Sequence, residues 1–266
     1  MKELLVLIPA RSGSKGLSGK NFRILGGKSL VDRSLLHAQY FSDIADIVVS
    51  TDDKLYIQDK VSKLELKGSL SPKEGELIPF DKGILHIRPK DYSQDNSLIM
   101  DLIHHLCCDS NLQKGRRGSS YKAVLLLQPT SPFRGKVELN EILYFLSNNL
   151  NSTSSLVSLR DTSDIHPARM YSEIGQGLFE GIKSYYEYRH FRRQDCPKLF
   201  IRDGGFYVIG SDLVKQKLQT NSQVIGMKRK SPYSINIDSE SDFILAEYYL
   251  NEAKDDPNFN SIGGLQ

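Results

Sequence analysis

Three features are scarce in this sequence: cysteines, long hydrophobic runs and net charge. The 266-residue chain has three cysteines, too few for a disulfide framework, which favours a reducing cytoplasm. No apolar run approaches the ~20 residues that a transmembrane helix needs, and the first apolar stretch begins too early for a signal peptide. The net charge of +3 does not indicate a chain that binds nucleic acid. We therefore expect a cytoplasmic protein with neither a membrane nor a nucleic-acid partner.

Common nucleotide-binding and hydrolase motifs are absent as well. A Walker A loop needs a glycine where this chain has Ser14, and a serine or threonine where it has Asn21. Gly13, Gly16 and Gly19 are spaced by three, which differs from the dinucleotide-binding pattern G-x-G-x-x-G. The sequence also contains no G-x-S-x-G elbow and no H-E-x-x-H segment. A serine hydrolase and a metalloprotease are therefore unsupported.

The chain opens with a continuous apolar run, residues 4–8, followed by a glycine-rich basic loop. The run is typical of a strand buried on both faces of a parallel sheet. Glycines let backbone N–H groups approach an anion, and the loop also carries the cations Arg11, Lys15 and Lys20. Ligands of open α/β sheets bind at this end of the strands. The pattern predicts a polyphosphate-binding loop, and a solvated surface loop is the alternative.

Strand-like and helix-like segments alternate along most of the chain. Strands are predicted at residues 4–8, 47–52, 84–88, 123–127, 156–159, 206–209, 224–227 and 235–237, and helices near 30–41, 98–106, 137–147, 212–218 and 242–250. The alternation predicts one α/β domain over residues 1–266, with a mostly parallel sheet and helices on both faces. Residues 67–81 are predicted to be a loop. Residues 161–201 mix charged and aromatic side chains without periodicity and are predicted to form an inserted arm.

Five segments resemble, in order, motifs of the CMP-sialic acid synthetases, the acylneuraminate cytidylyltransferases. They are PARSGSKGLSGKN at 9–21, Arg88-Pro89 with Asp95, LLLQPTSPFR at 125–134, RRQDCPKLF at 192–200 and INIDSESDF at 235–243. The resemblance implies a Rossmann-like nucleotidyltransferase fold. It implies an enzyme that joins CTP to an acidic nine-carbon (nonulosonic) sugar and releases pyrophosphate, in bacterial surface glycan synthesis. It further implies a homodimer formed through the arm and a requirement for Mg²⁺.

The same resemblance assigns nucleotide contacts to the first two motifs. Arg11 and Lys20 are expected to bind the phosphates and take part in catalysis, because fixed cations stabilise the charge of the departing pyrophosphate. Ser14 is expected to add a hydroxyl, Asn21 to contact the cytosine, and Arg88 to lie near the base. For Asn21 the alternative is a turn or helix-cap residue.

Sugar contacts are expected from Gln128, from Arg193 of a neighbouring subunit, and from Asp203 and Tyr207. Gln128 follows a buried strand, and an arginine suits a sugar carboxylate because it can bind both oxygens. Asp203 stands where the family often has a neutral amide. A carboxylate there would repel an acidic sugar unless it faces a cationic group, and this departure could indicate a different nonulosonic acid.

The metal contacts are expected from Asp238 and Asn236. The family commonly has two aspartates in this motif, and this chain keeps one of them.

Two other functions remain open. Asn236 fits a catalytically weakened sugar-nucleotide binding protein, and the basic and aromatic arm fits an RNA-associated protein.

Overall fold

The computed structural model describes residues 2–13, 16–64, 72–109, 112, 121–149, 155–162 and 165–260. Its strands are β1 (Leu4–Ala10), β2 (Ile24–Leu25), β3 (Lys28–Ser29), β4 (Ala45–Thr51), β5 (Leu77–Phe80), β6 (Gly83–Ile87), β7 (Ala123–Leu126), β8 (Ser155–Asp161), β9 (Tyr171–Gly175), β10 (Leu178–Gly181), β11 (Phe200–Gly210) and β12 (Ile225–Lys228). The α-helices are α1 (Leu30–Gln39), α2 (Lys54–Ser62), α3 (Ile99–His104), α4 (Lys136–Asn149), α5 (Ser211–Lys215), α6 (Glu240–Glu252) and α7 (Pro257–Asn260).

Eight strands form one mixed sheet in the order β12-β8-β11-β7-β1-β4-β6-β5. Four neighbouring pairs are parallel, including all those between β7, β1, β4 and β6. Strand β11 runs antiparallel to both of its neighbours, and β5 is antiparallel to β6 at one edge. The predicted α/β class with a mostly parallel sheet is confirmed. The prediction of a loop over residues 67–81 was wrong at residues 77–80, which form β5.

Side chains of β1 alternate between two hydrophobic clusters, one on each face of the sheet. Leu4, Val6 and Ile8 pack on the side that carries α1, α2 and α4. Leu5 and Leu7 pack on the opposite side with α3 and α5. Because both faces of β1 are buried, its sequence is continuously apolar, as predicted. The strand end is thereby held rigidly where the glycine-rich loop begins.

The segment at 235–237, predicted as a strand, is described by the structure but forms none. Its chain is tied down instead by the Ile237 N–H, which donates to the Thr130 carbonyl at 2.8 Å. The Ile237 side chain is fully buried in a third cluster. Helix α6 follows directly, and Ser239 and Asp242 form a capping box at its start. The position of Asn236 and Asp238 is therefore set by core packing and a helix cap rather than by a sheet.

Between β8 and β11, in the region for which an arm is predicted, the chain leaves the main sheet. Strands β9 and β10 form a separate two-stranded sheet, followed by a 3₁₀ segment, Lys183–His190. Many large apolar side chains in this part of the chain are exposed: Ile165, Met170, Tyr171, Ile174, Leu178, Phe179, Tyr186 and Phe191. Within the described part of the chain, no helix has the length and apolar character needed to cross a membrane.

Candidate active site

A cleft of about 310 Å³ opens at the carboxyl ends of the parallel strands. Arg11 follows β1 directly, Arg88 follows β6 directly, and Gln128 lies two residues after β7. Since parallel strands end at the same edge, these three side chains meet there although they are far apart in sequence. Seven of the predicted site residues line the cleft: Arg11, Lys20, Asn21, Arg88, Gln128, Asn236 and Asp238.

Both predicted phosphate-binding cations contact carboxylates across the cleft. Lys20 Nζ lies 2.7 Å from Asp238 Oδ1, and Arg11 Nη1 lies 3.1 Å from Asp95 Oδ1. Arg11 also donates to the Gln94 carbonyl at 3.0 Å. Lys20 is mostly buried whereas Asp238 is mostly exposed. A triphosphate entering the cleft would exchange one anionic partner of each cation for another.

Asn21 closes the glycine-rich loop. Its side chain is 6% exposed, and Nδ2 donates to the Arg11 carbonyl at 2.9 Å. This bond uses the amide donor within the loop, as the alternative of a turn residue expects. Asn21 nevertheless also lines the cleft.

Arg88 is almost fully buried and donates from Nε and Nη2 to the hydroxyl and the carbonyl of Ser50 at 3.2 and 2.7 Å. Burial lowers the pKa of Arg88 to about 10, although Asp52 acts in the opposite direction. The side chain therefore remains a cation at neutral pH, at the wall of the cleft.

Asp52 is a positioning residue that the sequence alone did not identify. Its carboxylate accepts from the N–H and the hydroxyl of Ser12 at 2.8 and 2.9 Å. The available signal was its place directly after the buried strand β4, beside β1 in the sheet. Asp52 thereby anchors the glycine-rich loop to the neighbouring strand.

Asp203 is not among the residues that line the cleft, against the expectation that it faces the sugar. It is buried, and its carboxylate accepts from the hydroxyls of Ser158 and Ser234 and from the Gly205 N–H. Arg229 lies 3.3 Å away. Burial opposes ionisation of Asp203, but the Arg229 charge and these hydrogen bonds outweigh it and lower the pKa. The negative charge of Asp203 is thus compensated by these internal partners and does not face the cleft.

Tyr207 does not line the cleft either. It is 7% exposed and packs in the same core cluster as Leu5, and burial raises the pKa of its hydroxyl. Ser14 lies outside the described residues. So does the side chain of Arg193, whose backbone begins a short 3₁₀ turn, Arg193–Asp195.

The residues at the proposed metal position are hard oxygen donors. Asp238 Oδ2 accepts from Asn236 Nδ2 at 2.6 Å, which leaves the Asn236 amide oxygen on the other side of that group. In the described part of the chain, no group of three or more His, Cys, Asp or Glu side chains is arranged to hold a metal. The Asp238 carboxylate fits Mg²⁺, which commonly takes one or two carboxylates and completes its shell with substrate phosphates and water. The Asn236 amide would have to turn its oxygen toward Asp238 to join it.

Comparison with known proteins shows that this chain is similar to cytidylyltransferases. Residues 5–66, which include the glycine-rich loop, match the family model described as cytidylyltransferase. A 245-residue span is 25% identical to N-acylneuraminate cytidylyltransferase of Streptococcus agalactiae serotype V, covering 90% of this chain and 51% of that protein. The predicted resemblance to the cytidylyltransferases is confirmed. A 131-residue span is 37% identical to CMP-N,N'-diacetyllegionaminic acid synthase of Legionella pneumophila, covering 49% of this chain and 47% of that protein.

The chain spans about half the length of these two cytidylyltransferases. A solved structure of CMP:2-keto-3-deoxy-manno-octonic acid synthetase complexed with CTP superposes with a TM-score of 0.58. That alignment covers 94% of this chain and 99% of the other at 13% identity, so it supports the Rossmann-like nucleotidyltransferase fold alone.

Gly16 gives a test of the loop geometry. A Cβ at Gly16 would lie 2.4 Å from the Asp238 carbonyl oxygen, whereas a Cβ at Gly13 would meet no atom within 4 Å. Gly16→Ala is therefore expected to push the loop away from Asp238 and weaken the CTP binding proposed below about tenfold or more, because phosphate contacts depend on closely placed backbone and cations. Gly13→Ala, in the same loop, is the matched control and should leave the calorimetric Kd nearly unchanged. Equal affinities of the two variants would contradict the close approach.

Proposed function

We propose that this chain is a cytidylyltransferase that activates a nonulosonic, sialic-type acid with CTP and gives the CMP-sugar and pyrophosphate. One observation carries the proposal: three cations, Arg11, Lys20 and Arg88, face one cleft together with the amide of Gln128. Cations suit the triphosphate, and an amide with both donor and acceptor suits a sugar hydroxyl or N-acyl group. The similarity to enzymes named for acylneuraminate and legionaminate supports the sugar class.

In the proposed reaction the anomeric hydroxyl of the sugar attacks the α-phosphorus of CTP in line. The bond from the α-phosphorus to the bridging oxygen breaks, pyrophosphate leaves with the negative charge, and the proton of the attacking hydroxyl passes to solvent. Lys20 and Arg11 would exchange Asp238 and Asp95 for phosphate oxygens and stabilise that charge as it builds. The exchange replaces one charge pair by another, so neither cation is left buried and unpaired.

Asp238 and Asn236 would hold Mg²⁺ beside the phosphates. When bound, the ion would neutralise phosphate charge and polarise the α-phosphoryl group. When Lys20 turns to the phosphates it frees Asp238 Oδ1, the oxygen with which it is now paired.

The proposed dimer is supported by the apolar exposure of the arm. Its exposed residues include Leu178 and Phe179 on β10, beside Tyr171 and Ile174 on β9. Paired subunits would cover this surface, and the arm would bring Arg193 to the neighbouring cleft, where its guanidinium would bind the sugar carboxylate.

Subunit mixing tests this arrangement. Arg193→Ala and Lys20→Met proteins should each be weakly active, and mixing them with subunit exchange should restore part of the activity. The hybrid dimer then holds one site with both Lys20 and Arg193, so recovery of up to about a quarter of the wild-type rate is expected from random pairing. A monomer in sedimentation, or no recovery after exchange is demonstrated, would contradict it.

Turnover tests the function itself. Pyrophosphate release should be seen with CTP, Mg²⁺ and at least one member of a panel of sialic, legionaminic and related acids. It should fall when CTP is replaced by ATP or GTP. Tight CTP binding without pyrophosphate release from any sugar would instead favour the sugar-nucleotide binding protein, the alternative that Asn236 in place of a second aspartate suggests.

A further inference from the structure

Four charged side chains are buried together behind the Gln128 wall of the cleft. This buried charge cluster consists of Arg134, Glu138, Asp203 and Arg229, of which Arg134 is fully inaccessible. Arg229 Nε lies 2.6 Å from Glu138 Oε1, and its Nη1 lies 3.3 Å from Asp203 Oδ2. Burying ions is costly unless they are paired and hydrogen-bonded, and here two cations face two carboxylates. None of the four lines the cleft, so the cluster can act on a ligand in this cleft only through its neighbours.

Arg134 joins two of those neighbours. Its Nη2 donates to the Gln128 carbonyl at 2.7 Å, and its Nε donates to the Gly205 carbonyl at 2.6 Å. One planar guanidinium therefore holds the loop after β7 and the irregular part of β11 around Gly204, where the strand register shifts; this part is called the Gly204 turn. A lysine would keep the charge, but it lacks the fixed fork that satisfies two carbonyls at once.

The turn that Arg134 holds packs directly against the cleft. Gly204 has a φ of +77°, and a Cβ there would lie 3.1 Å from Gln128 Oε1 and 3.5 Å from Asn236 Oδ1. Both of these amides line the cleft. The position of the turn consequently limits where the two amide groups can lie.

Asp203 connects the Gly204 turn to the segment that carries the proposed metal contacts. Its carboxylate accepts from the Gly205 N–H at 3.1 Å and from the Ser234 hydroxyl at 2.9 Å. Ser234 lies two residues before Asn236. The cluster thus braces the backbone of Gln128, the Gly204 turn and the segment that leads to Asn236.

We propose that Arg134 is a positioning residue for the sugar: acting through the Gln128 backbone and the Gly204 turn, it fixes the Gln128 amide in the cleft. This inference rests on the proposed function for the identity of the ligand. Arg11, Lys20 and Arg88 are held by other partners, namely Asp95 and Gln94, Asp238, and Ser50. Loss of Arg134 should therefore affect the sugar and spare the binding of CTP measured without Mg²⁺.

The chain supplies a matched control for the cost of altering a buried arginine. Arg33 is 2% exposed, and its guanidinium also caps two backbone carbonyls, those of Leu25 and Gly26. Neither Arg33 nor these two partners line the cleft. Arg33→Lys should lower the melting temperature as Arg134→Lys does, without changing sugar kinetics.

The test compares Arg134→Lys and Arg33→Lys, each alone and combined with Gln128→Ala. The sugar is whichever of sialic and legionaminic acid the wild type turns over. Arg134→Lys should lower kcat/KM for the sugar by about tenfold or more, as small misplacements of binding groups commonly do. The calorimetric Kd for CTP, measured without Mg²⁺ so that the proposed metal contacts do not contribute, should stay within about twofold of wild type. In the Gln128→Ala background the added loss of kcat/KM for the sugar should shrink to about twofold.

Equal losses for sugar and CTP, or an undiminished loss in the Gln128→Ala background, would overturn the proposal. Ser234→Ala, a milder change in the same brace, should shift the sugar parameters in the same direction by a smaller factor. Ser234→Ala replaces Arg134→Lys in these measurements if Arg134→Lys does not fold.

Hydrogen exchange of the free protein separates this inference from the proposed function. Arg134→Lys should speed exchange in peptides covering 128–134 and 200–206, and Arg33→Lys should not. A wild type that turns over no sugar would defeat the proposed function, and the exchange result would still decide whether Arg134 holds these segments. Unchanged exchange in both peptides would overturn the inference.

Discussion

Lys20→Met is expected to lower kcat/KM for CTP by roughly 10- to 150-fold, because a charge-assisted hydrogen bond to a phosphate contributes about 1.5–3 kcal/mol. Methionine keeps most of the side-chain volume and removes the charge. The same change leaves Asp238 without the ammonium that now lies 2.7 Å from it, which adds repulsion toward an incoming triphosphate. Steady-state kinetics with varied CTP at saturating sugar would measure the loss.

Lys122→Met is the matched control. Lys122 also forms an ion pair: it lies 2.8 Å from Glu3, and both side chains are half exposed. Neither residue lines the cleft. Its loss should leave CTP kinetics and melting temperature close to wild type, since exposed ion pairs contribute little. CTP kinetics of Lys20→Met that match those of Lys122→Met would remove Lys20 from the phosphate site.

The sequence predicted the sheet well where burial leaves a simple pattern. Strand β1 is buried on both faces, so its first five residues form a continuous aliphatic run that is easily identified as a strand. Strand β5 was missed because it is short, lies at an edge and contains Pro79, all of which weaken a strand signal. The segment at 235–237 has strand-like residues, but its apolar side chains serve a third cluster outside the sheet. A pattern of apolar residues predicts that a segment is buried. Only the tertiary structure shows which hydrophobic cluster the segment packs in.

The motifs identified residues that line the cleft, but they did not identify the groups that each side chain contacts. Arg11, Gln128 and Asp238 come from separate motifs, and all three line the cleft. The orientation of Asp203 could not be predicted, because its partner Arg229 lies 26 residues later and outside every motif. The contact between Asp52 and Ser12 could not be predicted either, because it depends on the pairing of β4 with β1. Side-chain direction depends on such distant neighbours, whereas placement at a strand end depends on local sequence.

Asp238→Ala is expected to remove most turnover at any practical Mg²⁺ concentration. Asp238 is the single carboxylate at the proposed metal position, and it contacts both Lys20 and Asn236. Losing a metal ligand in phosphoryl chemistry removes several kcal/mol of charge stabilisation, which corresponds to roughly 100-fold or more in rate. CTP binding without metal should persist, because Lys20 becomes free to contact phosphate. Asp59→Ala, which breaks an exposed 2.7 Å pair with Lys63 on α2, is the control and should retain wild-type turnover.

Asn236→Asp is expected to lower the Mg²⁺ concentration needed for half-maximal rate. An aspartate adds charge attraction that an amide lacks, and hard cations prefer carboxylate oxygens. The native Asn236 amide instead donates to Asp238 at 2.6 Å, which partly neutralises the remaining carboxylate. Replacing that donor by a second carboxylate would place two negative groups beside Lys20, so metal-free protein should also lose stability. Magnesium titrations of wild type and both variants measure the midpoints. An unmoved midpoint in Asn236→Asp, together with an active Asp238→Ala, would show that the metal is held elsewhere and that Asp238 serves only as the resting partner of Lys20.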